Sequence, residues 1–185
     1  MKTTLNKIWE HNPSKKGGET LLKNLGKREP DDAPLSIAFI LESNGLEDAL
    51  WCLRAVDGYQ REMRLFAVDC ARSVQHLTND PRSVSAIDVA ERHADGNASN
   101  EELAAAGDAA RDAAWASSKA AWDASWAAWH AAWAATWDAA LGAAGDSARA
   151  AAPRAGAWGA AKDAAEDVQA NLLAIVCAEI EQREE

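Results

Sequence analysis

A chain of 185 residues can bury a sizeable core, so one compact domain spanning 1–185 is the default reading. With 48 % apolar and 26 % charged residues the composition argues against a disordered chain, and nine Trp against two Phe and one Tyr make tryptophan its main large residue. The net charge of −10 is uneven, with seven Lys/Arg against three Asp/Glu in residues 1–30 and twelve against twenty-six in residues 31–185. So acidic a body disfavours nucleic acid and anionic lipid; it either keeps an Ala-rich helical chain soluble or favours a basic protein partner.

Residues 1–33 form a basic N-terminal segment. The pattern predicts a short helix near Thr4–Glu10, a loop over Asn12–Gly18, a helical turn around Thr20–Leu25 and a polar linker ending at Pro34. Glu10 and Pro13 interrupt the Lys-rich start, which lacks an apolar run of signal-peptide length, so the expected location is the cytoplasm. Cys52, Cys70 and Cys177 agree with that: they are odd in number, far apart and set in apolar helical patterns, as buried free thiols in a reducing compartment would be.

Residues 34–97 read as a bundle of short helices. A helix from Leu35 to Ser43 should stop at Asn44-Gly45, where a left-handed cap is easy, and a second should run from Leu46 to Val56 before Asp57-Gly58. Tyr59 to Leu77 is amphipathic, with Met63, Phe66, Cys70, Val74 and Leu77 at intervals of three and four. Asp80 and Pro81 signal an N-cap and first helical residue, and that helix should run to about His93 before Asp95-Gly96-Asn97.

Residues 98–185 predict a long Ala/Trp-rich αα-hairpin, which makes the whole an all-α multi-helix fold. Ser99 and Glu102 have the spacing of a capping box, and no Pro follows until Pro153. A straight helix over that span would be on the order of 80 Å long against a globule about 40 Å across, so a bend is expected at Gly142 and Gly145. The last helix, Arg154 to about Gln182, carries Trp158, Ala161, Ala165, Val168, Leu172, Val176 and Ile180 on one face and should fold back on the Ala/Trp helix. Asp112, Lys119, Asp123 and Asp138 break the tract below the ~20 apolar residues that span a bilayer, so no membrane association is expected.

Trp115, Trp122, Trp126, Trp129, Trp133 and Trp137 fall on a stripe about 80° wide at 100° per residue. Two of the spacings repeat every 11 residues, which favours straight packing over a left-handed heptad coil. Opposite lie Ala113, Ala120, Ala124, Ala127, Ala131 and Ala135, small enough for a neighbouring backbone to come close. An aromatic stripe at helical spacing is first of all core; its functional alternative is a platform for a small ligand, or a face that mates with a second copy.

Catalytic signatures are missing from the sequence: there is no glycine-rich phosphate loop, no paired Cys at metal spacing, no H-E-x-x-H and no nucleophile elbow, and His11, His76, His93 and His130 are scattered one to a segment. No enzyme activity, cofactor or metal is expected. The segments Ile8-Trp9-Glu10-His11-Asn12-Pro13, Ser43-Asn44-Gly45-Leu46-Glu47-Asp48-Ala49-Leu50-Trp51-Cys52-Leu53-Arg54-Ala55, Asp80-Pro81-Arg82-Ser83 and Ala86-Ile87-Asp88-Val89-Ala90-Glu91-Arg92, followed by a variable Ala/Trp repeat, resemble a bacterial and phage family of polymorphic-toxin immunity proteins. The chain departs from that pattern at Ser14, where the family carries Cys, and at Gly18, where it carries Trp. The resemblance implies a small protein that binds and neutralises a cognate toxin without chemistry of its own.

Overall fold

The computed structural model describes residues 1–115 and 158–184, which are all-α apart from one pair of two-residue strands. Two compact units divide the chain, one made of Met1–Tyr59 with Leu173–Glu185, the other of Gln60–Leu172.

The first unit starts with β1 (Lys2–Thr3), which pairs antiparallel with β2 (Leu35–Ser36), Lys2 opposite Ser36 and Thr3 opposite Leu35. The Met1 carbonyl extends the pairing by accepting the Ile37 N–H at 3.0 Å. The buried Thr3 hydroxyl donates to the carbonyl of Ala55, so no polar group of that side chain is stranded. Thr4, extended at φ −136°, caps α1 (Leu5–Glu10) by accepting the Lys7 N–H, and α1 buries Leu5 and Ile8.

Of the segment expected as a loop, Asn12–Ser14 is non-helical, but Lys15–Gly18 is instead the start of α2 (Lys15–Asn24). Ser14 is its N-cap and accepts the Gly17 N–H at 3.0 Å. A local hydroxyl cap outweighs the poor helix propensity of Gly17 and Gly18 because the first turn has few intrahelical bonds to lose. The second correction concerns Leu35 and Ser36, which belong to β2 rather than to a helix. Ser36 caps α3 (Ile37–Asn44) through the Phe39 N–H, and the backbone before a cap must be extended, which leaves it free to pair with β1.

At φ +90° Gly45 separates α3 from α4 (Leu46–Cys52), in the left-handed region that favours glycine. The expected helix to Val56 tightens into a 3₁₀ turn at Leu53–Ala55. Its buried side chains include Ala49, Leu50, Cys52 and Leu53.

In the second unit α5 (Gln60–Val74) buries Met63, Phe66, Cys70 and Val74, the predicted stripe, and ends in a 3₁₀ turn at Gln75–Leu77. Asp80 caps α6 (Pro81–Ala94) by accepting the Arg82 N–H at 2.9 Å. The turn through Gly96, at φ +76°, leads into α7 (Asn100–Trp115). There the capping box is complete: Ser99 N–H donates to Glu102 Oε2 at 2.8 Å and Glu102 N–H to Ser99 Oγ at 3.2 Å. A core of Val68, Ala71, Val74, Ala86, Ile87, Ala90, Leu103 and Ala110 joins the three helices, its alanines letting the helix backbones approach.

Both units contribute to α8 (Trp158–Glu184). Among its described side chains the buried ones are Gln169, Leu173, Cys177 and Ile180, while Leu172 and Val176 are half-buried and Val168 is 46 % exposed. The packing seam is thus turned by about one residue from the face that periodicity selects. Apolar residues occur on most sides of this helix, so spacing alone does not single out one seam. The bend at Gly142–Gly145 and the packing of the hairpin lie outside the described residues.

Candidate functional site

Of the tryptophan stripe, Trp115 is described and Trp122, Trp126, Trp129, Trp133 and Trp137 lie outside the described residues. Trp115 is 69 % exposed, whereas Ala113, on the opposite side of the same helix, is fully buried. In the described part of α7 the small-residue face, with Leu103, Ala110 and Ala113, is the one that packs.

A concave site in the first unit lies elsewhere, between α1, α2 and α4, and a wider hollow lined by Trp9, Asn12, Lys15, Glu19 and Leu22 adjoins it across Pro13, Ser14 and Gly18. The former is a cleft of about 100 Å³ whose walls include Ile8, Pro13, Leu21 and Cys52, with Trp51, Glu47 and Asp48 from α4 and the backbone of Gly17 and Gly18 from α2. At two glycines a side chain would be tight. A Cβ on Gly18 would come to 3.0 Å from Cζ2 of the Trp9 ring, and one on Gly17 to 3.0 Å from both carboxylate oxygens of Asp48. Neither φ lies in the left-handed region, so these positions demand space rather than backbone freedom.

Asn44 organises the α4 side. Its Nδ2 donates to the Gly17 carbonyl at 3.0 Å and to Asp48 Oδ2 at 2.8 Å, tying the end of α3 to both helices that border the cleft. The Asp48 carboxylate thereby sits beside the first turn of α2, which has Lys15 and Lys16 but no acidic residue of its own, and supplies favourable negative charge at that helix end. Glu47 and Asp48 also occupy the first turn of α4, whose Gly45 cap provides no side-chain acceptor. The Arg54 guanidinium stacks over the Trp51 ring with Cζ 4.0 Å from the centroid, and its Nε donates to the Trp51 carbonyl.

Burial with the Asp48 charge pushes the Cys52 thiol up to about 12, so it faces the cleft as a neutral group and not as a nucleophile. Cys177 is pushed to about 11 by burial, and Cys70 is raised further by the same cause. All three are free and buried. Among the described residues no group of three His, Cys, Asp or Glu side chains is placed to hold a metal ion, and no helix is long and apolar enough to cross a membrane. His93 Nε2 pairs with Asn100 Oδ1 at 2.9 Å, linking α6 to the first turn of α7.

The described helices of the second unit carry a set of ion pairs. Arg72 bonds Asp88 Oδ1 at 2.7 Å and Glu91 Oε2 at 2.6 Å, Arg61 bonds Asp95, Arg82 bonds Asp80 and Arg111 bonds Asp108. Residues 60–115 carry ten Asp/Glu against six Arg, so the unit keeps a net negative charge after these pairs are made.

The sequence pointed to the tryptophan stripe and missed the cleft. A signal was present in the Gly17-Gly18 pair behind a capping Ser14, which marks a helix start that another element approaches closely. Fold and site together define an all-α protein with a small acidic-rimmed cleft and an acidic helical face. No family model, no curated protein and no solved structure matches the chain.

Proposed function

We propose that this chain is a cytoplasmic, non-catalytic binding protein of the immunity type, which neutralises a cognate basic toxin by occupying it. The observation that carries the reading is the charge balance of α5 to α7: five arginines pair with carboxylates of their own unit, and residues 60–115 hold ten Asp/Glu against six Arg, a net negative charge that suits a positively charged partner. Such a face speeds encounter with a basic protein and repels nucleic acid and anionic membrane. The resemblance of the segments around Trp9, Glu47–Cys52 and Asp80–Arg92 to immunity proteins supports the same reading. Ser14 and Gly18, the two departures from that family's pattern, both line the cleft, so partner specificity would vary there.

Co-expression with toxins encoded beside this gene tests the proposal. Rescue of growth and a salt-sensitive complex are expected; neither rescue nor complex with any neighbouring toxin overturns it.

One observation favours a second reading, a scaffold that self-associates. Trp115 stands 69 % exposed at the start of a stripe of tryptophans. Light scattering that finds a monomer at high protein concentration would remove this alternative.

A further inference from the structure

We infer that the cleft between α1, α2 and α4 receives an arginine side chain from a partner protein. The inference deepens the immunity reading and rests on it for the partner, but not for the chemistry of the cleft.

Three features of the cleft select the occupant. Its room, about 100 Å³, accommodates roughly seven water-sized groups, about the length of one long side chain and too little for a helix or a drug-sized ligand. Ile8, Leu21 and Cys52 offer apolar wall to a methylene stem, and burial keeps the Cys52 thiol uncharged. The charged side chains that could meet the far end of that stem are both anionic, Glu47 and Asp48; Ser14 adds a neutral hydroxyl, and no Lys, Arg or His lines the cleft. Trp51 adds an indole wall.

A carboxylate-bearing or neutral side chain would lose its hydration without gaining a matching charge there, whereas a cation gains both carboxylates. Between the two basic side chains the ring decides for arginine. The chain already stacks its own Arg54 guanidinium on Trp51 at 4.0 Å, and Arg54 is not among the residues that line the cleft. Planar guanidinium suits stacking and paired carboxylate oxygens better than a compact ammonium does.

The geometry is also set before the ligand arrives. Asn44 anchors Asp48 Oδ2, and Gly17 keeps clear the space that a Cβ would take from that carboxylate. A fixed carboxylate spares the entropy of ordering one on binding.

Titration of the full chain with N-acetyl-L-arginine amide, followed by amide and indole NMR shifts, tests the inference. Saturable shifts are expected at the Gly17 and Gly18 amides and the Trp51 indole, with millimolar affinity for a single side chain. N-acetyl-L-citrulline amide, equal in shape but uncharged, should bind at least about tenfold more weakly, and the lysine analogue should fall between them. Asp48→Asn, which keeps an acceptor for Asn44, and Glu47→Gln, on the exposed side, should each weaken arginine binding by about threefold to tenfold; the two variants guard against a fold defect in either. Equal affinity for citrulline and arginine, or no saturable shift by about 100 mM, overturns the inference. Where a neighbouring toxin is found, Asp48→Asn should weaken the complex, and an unchanged complex overturns the cleft as the toxin's seat while leaving the immunity reading standing. Saturable arginine binding without rescue from any toxin fails the immunity reading alone.

Discussion

The ring of Trp9 lies so close to Gly18 that an added Cβ would meet its Cζ2 at 3.0 Å and its Cη2 at 3.1 Å. Trp9 sits near the end of α1 and Gly18 in the first half of α2, so the contact fixes how the two helices meet across the Asn12–Pro13 turn. An exposed helical Gly→Ala change ordinarily stabilises by up to about 1 kcal/mol. Here the methyl must displace an indole, and Gly18→Ala should destabilise by about 1 kcal/mol instead. Urea denaturation reads the sign, and a stabilised variant would show that the ring yields freely.

Helix caps in the second unit give the next expectation. Asp80→Ala and Ser99→Ala each remove the side-chain acceptor of a helix N-terminus, so each should cost about 1 kcal/mol. The sites begin different helices with no shared cap, and the double variant should therefore lose close to the sum.

Core and surface should separate sharply. Phe66 is fully buried on α5, and Phe66→Ala should cost roughly 3–5 kcal/mol. Trp115 is largely exposed, so Trp115→Ala should change stability by less than about 0.5 kcal/mol despite the larger side chain. A loss of several kcal/mol at Trp115 in thermal or urea unfolding would mean that its indole is buried.

Arg72 links two carboxylates of α6 to α5, with its side chain 33 % exposed. Double-mutant cycles of Arg72→Ala with Asp88→Ala and Glu91→Ala should give coupling of about 0.5–1 kcal/mol each, shrinking as salt is raised. Zero coupling at low ionic strength would show that this ion pair carries no energetic weight.

The thiols predict an alkaline limit. Burial raises Cys52 to about 12 and Cys177 to about 11, above the ordinary thiol value near 8.5 that holds in the unfolded chain. The folded state therefore holds those protons more tightly, and this contribution is complete below about pH 8.5 and is lost as pH rises through 11 to 12. Carboxylates act at the other end: Asp80, held down by Arg82, and Asp57, held down by Lys7, stabilise above the ordinary carboxylate range and cease to do so as pH falls through it. Native thiols should react with iodoacetamide far more slowly at pH 8 than the same thiols in urea; equal rates would contradict their burial.

Where a signal is carried by neighbours in sequence, the chain alone was enough. Asp80 before Pro81, the Ser99–Glu102 pair and the breaks at Gly45 and Gly96 each act within about four residues, and each stands in the structure where its chemistry places it. The stripe Met63, Phe66, Cys70 and Val74 is equally local, because one helix period defines a face without reference to a partner. Other features depended on contacts between distant residues. Leu35 and Ser36 are strand rather than helix because Lys2 and Thr3 are there to pair with them, and α8 buries Gln169, Leu173 and Cys177 because packing chose among several apolar faces. The cleft is the clearest case. Asp48 reads in sequence as an ordinary acid at the start of a helix; only the arrival of Gly17, some thirty residues earlier, against its carboxylate turns it into the wall of a cleft. Local hydrogen bonds and periodicity are written in short windows, whereas a concave site exists only once separate windows have been brought together.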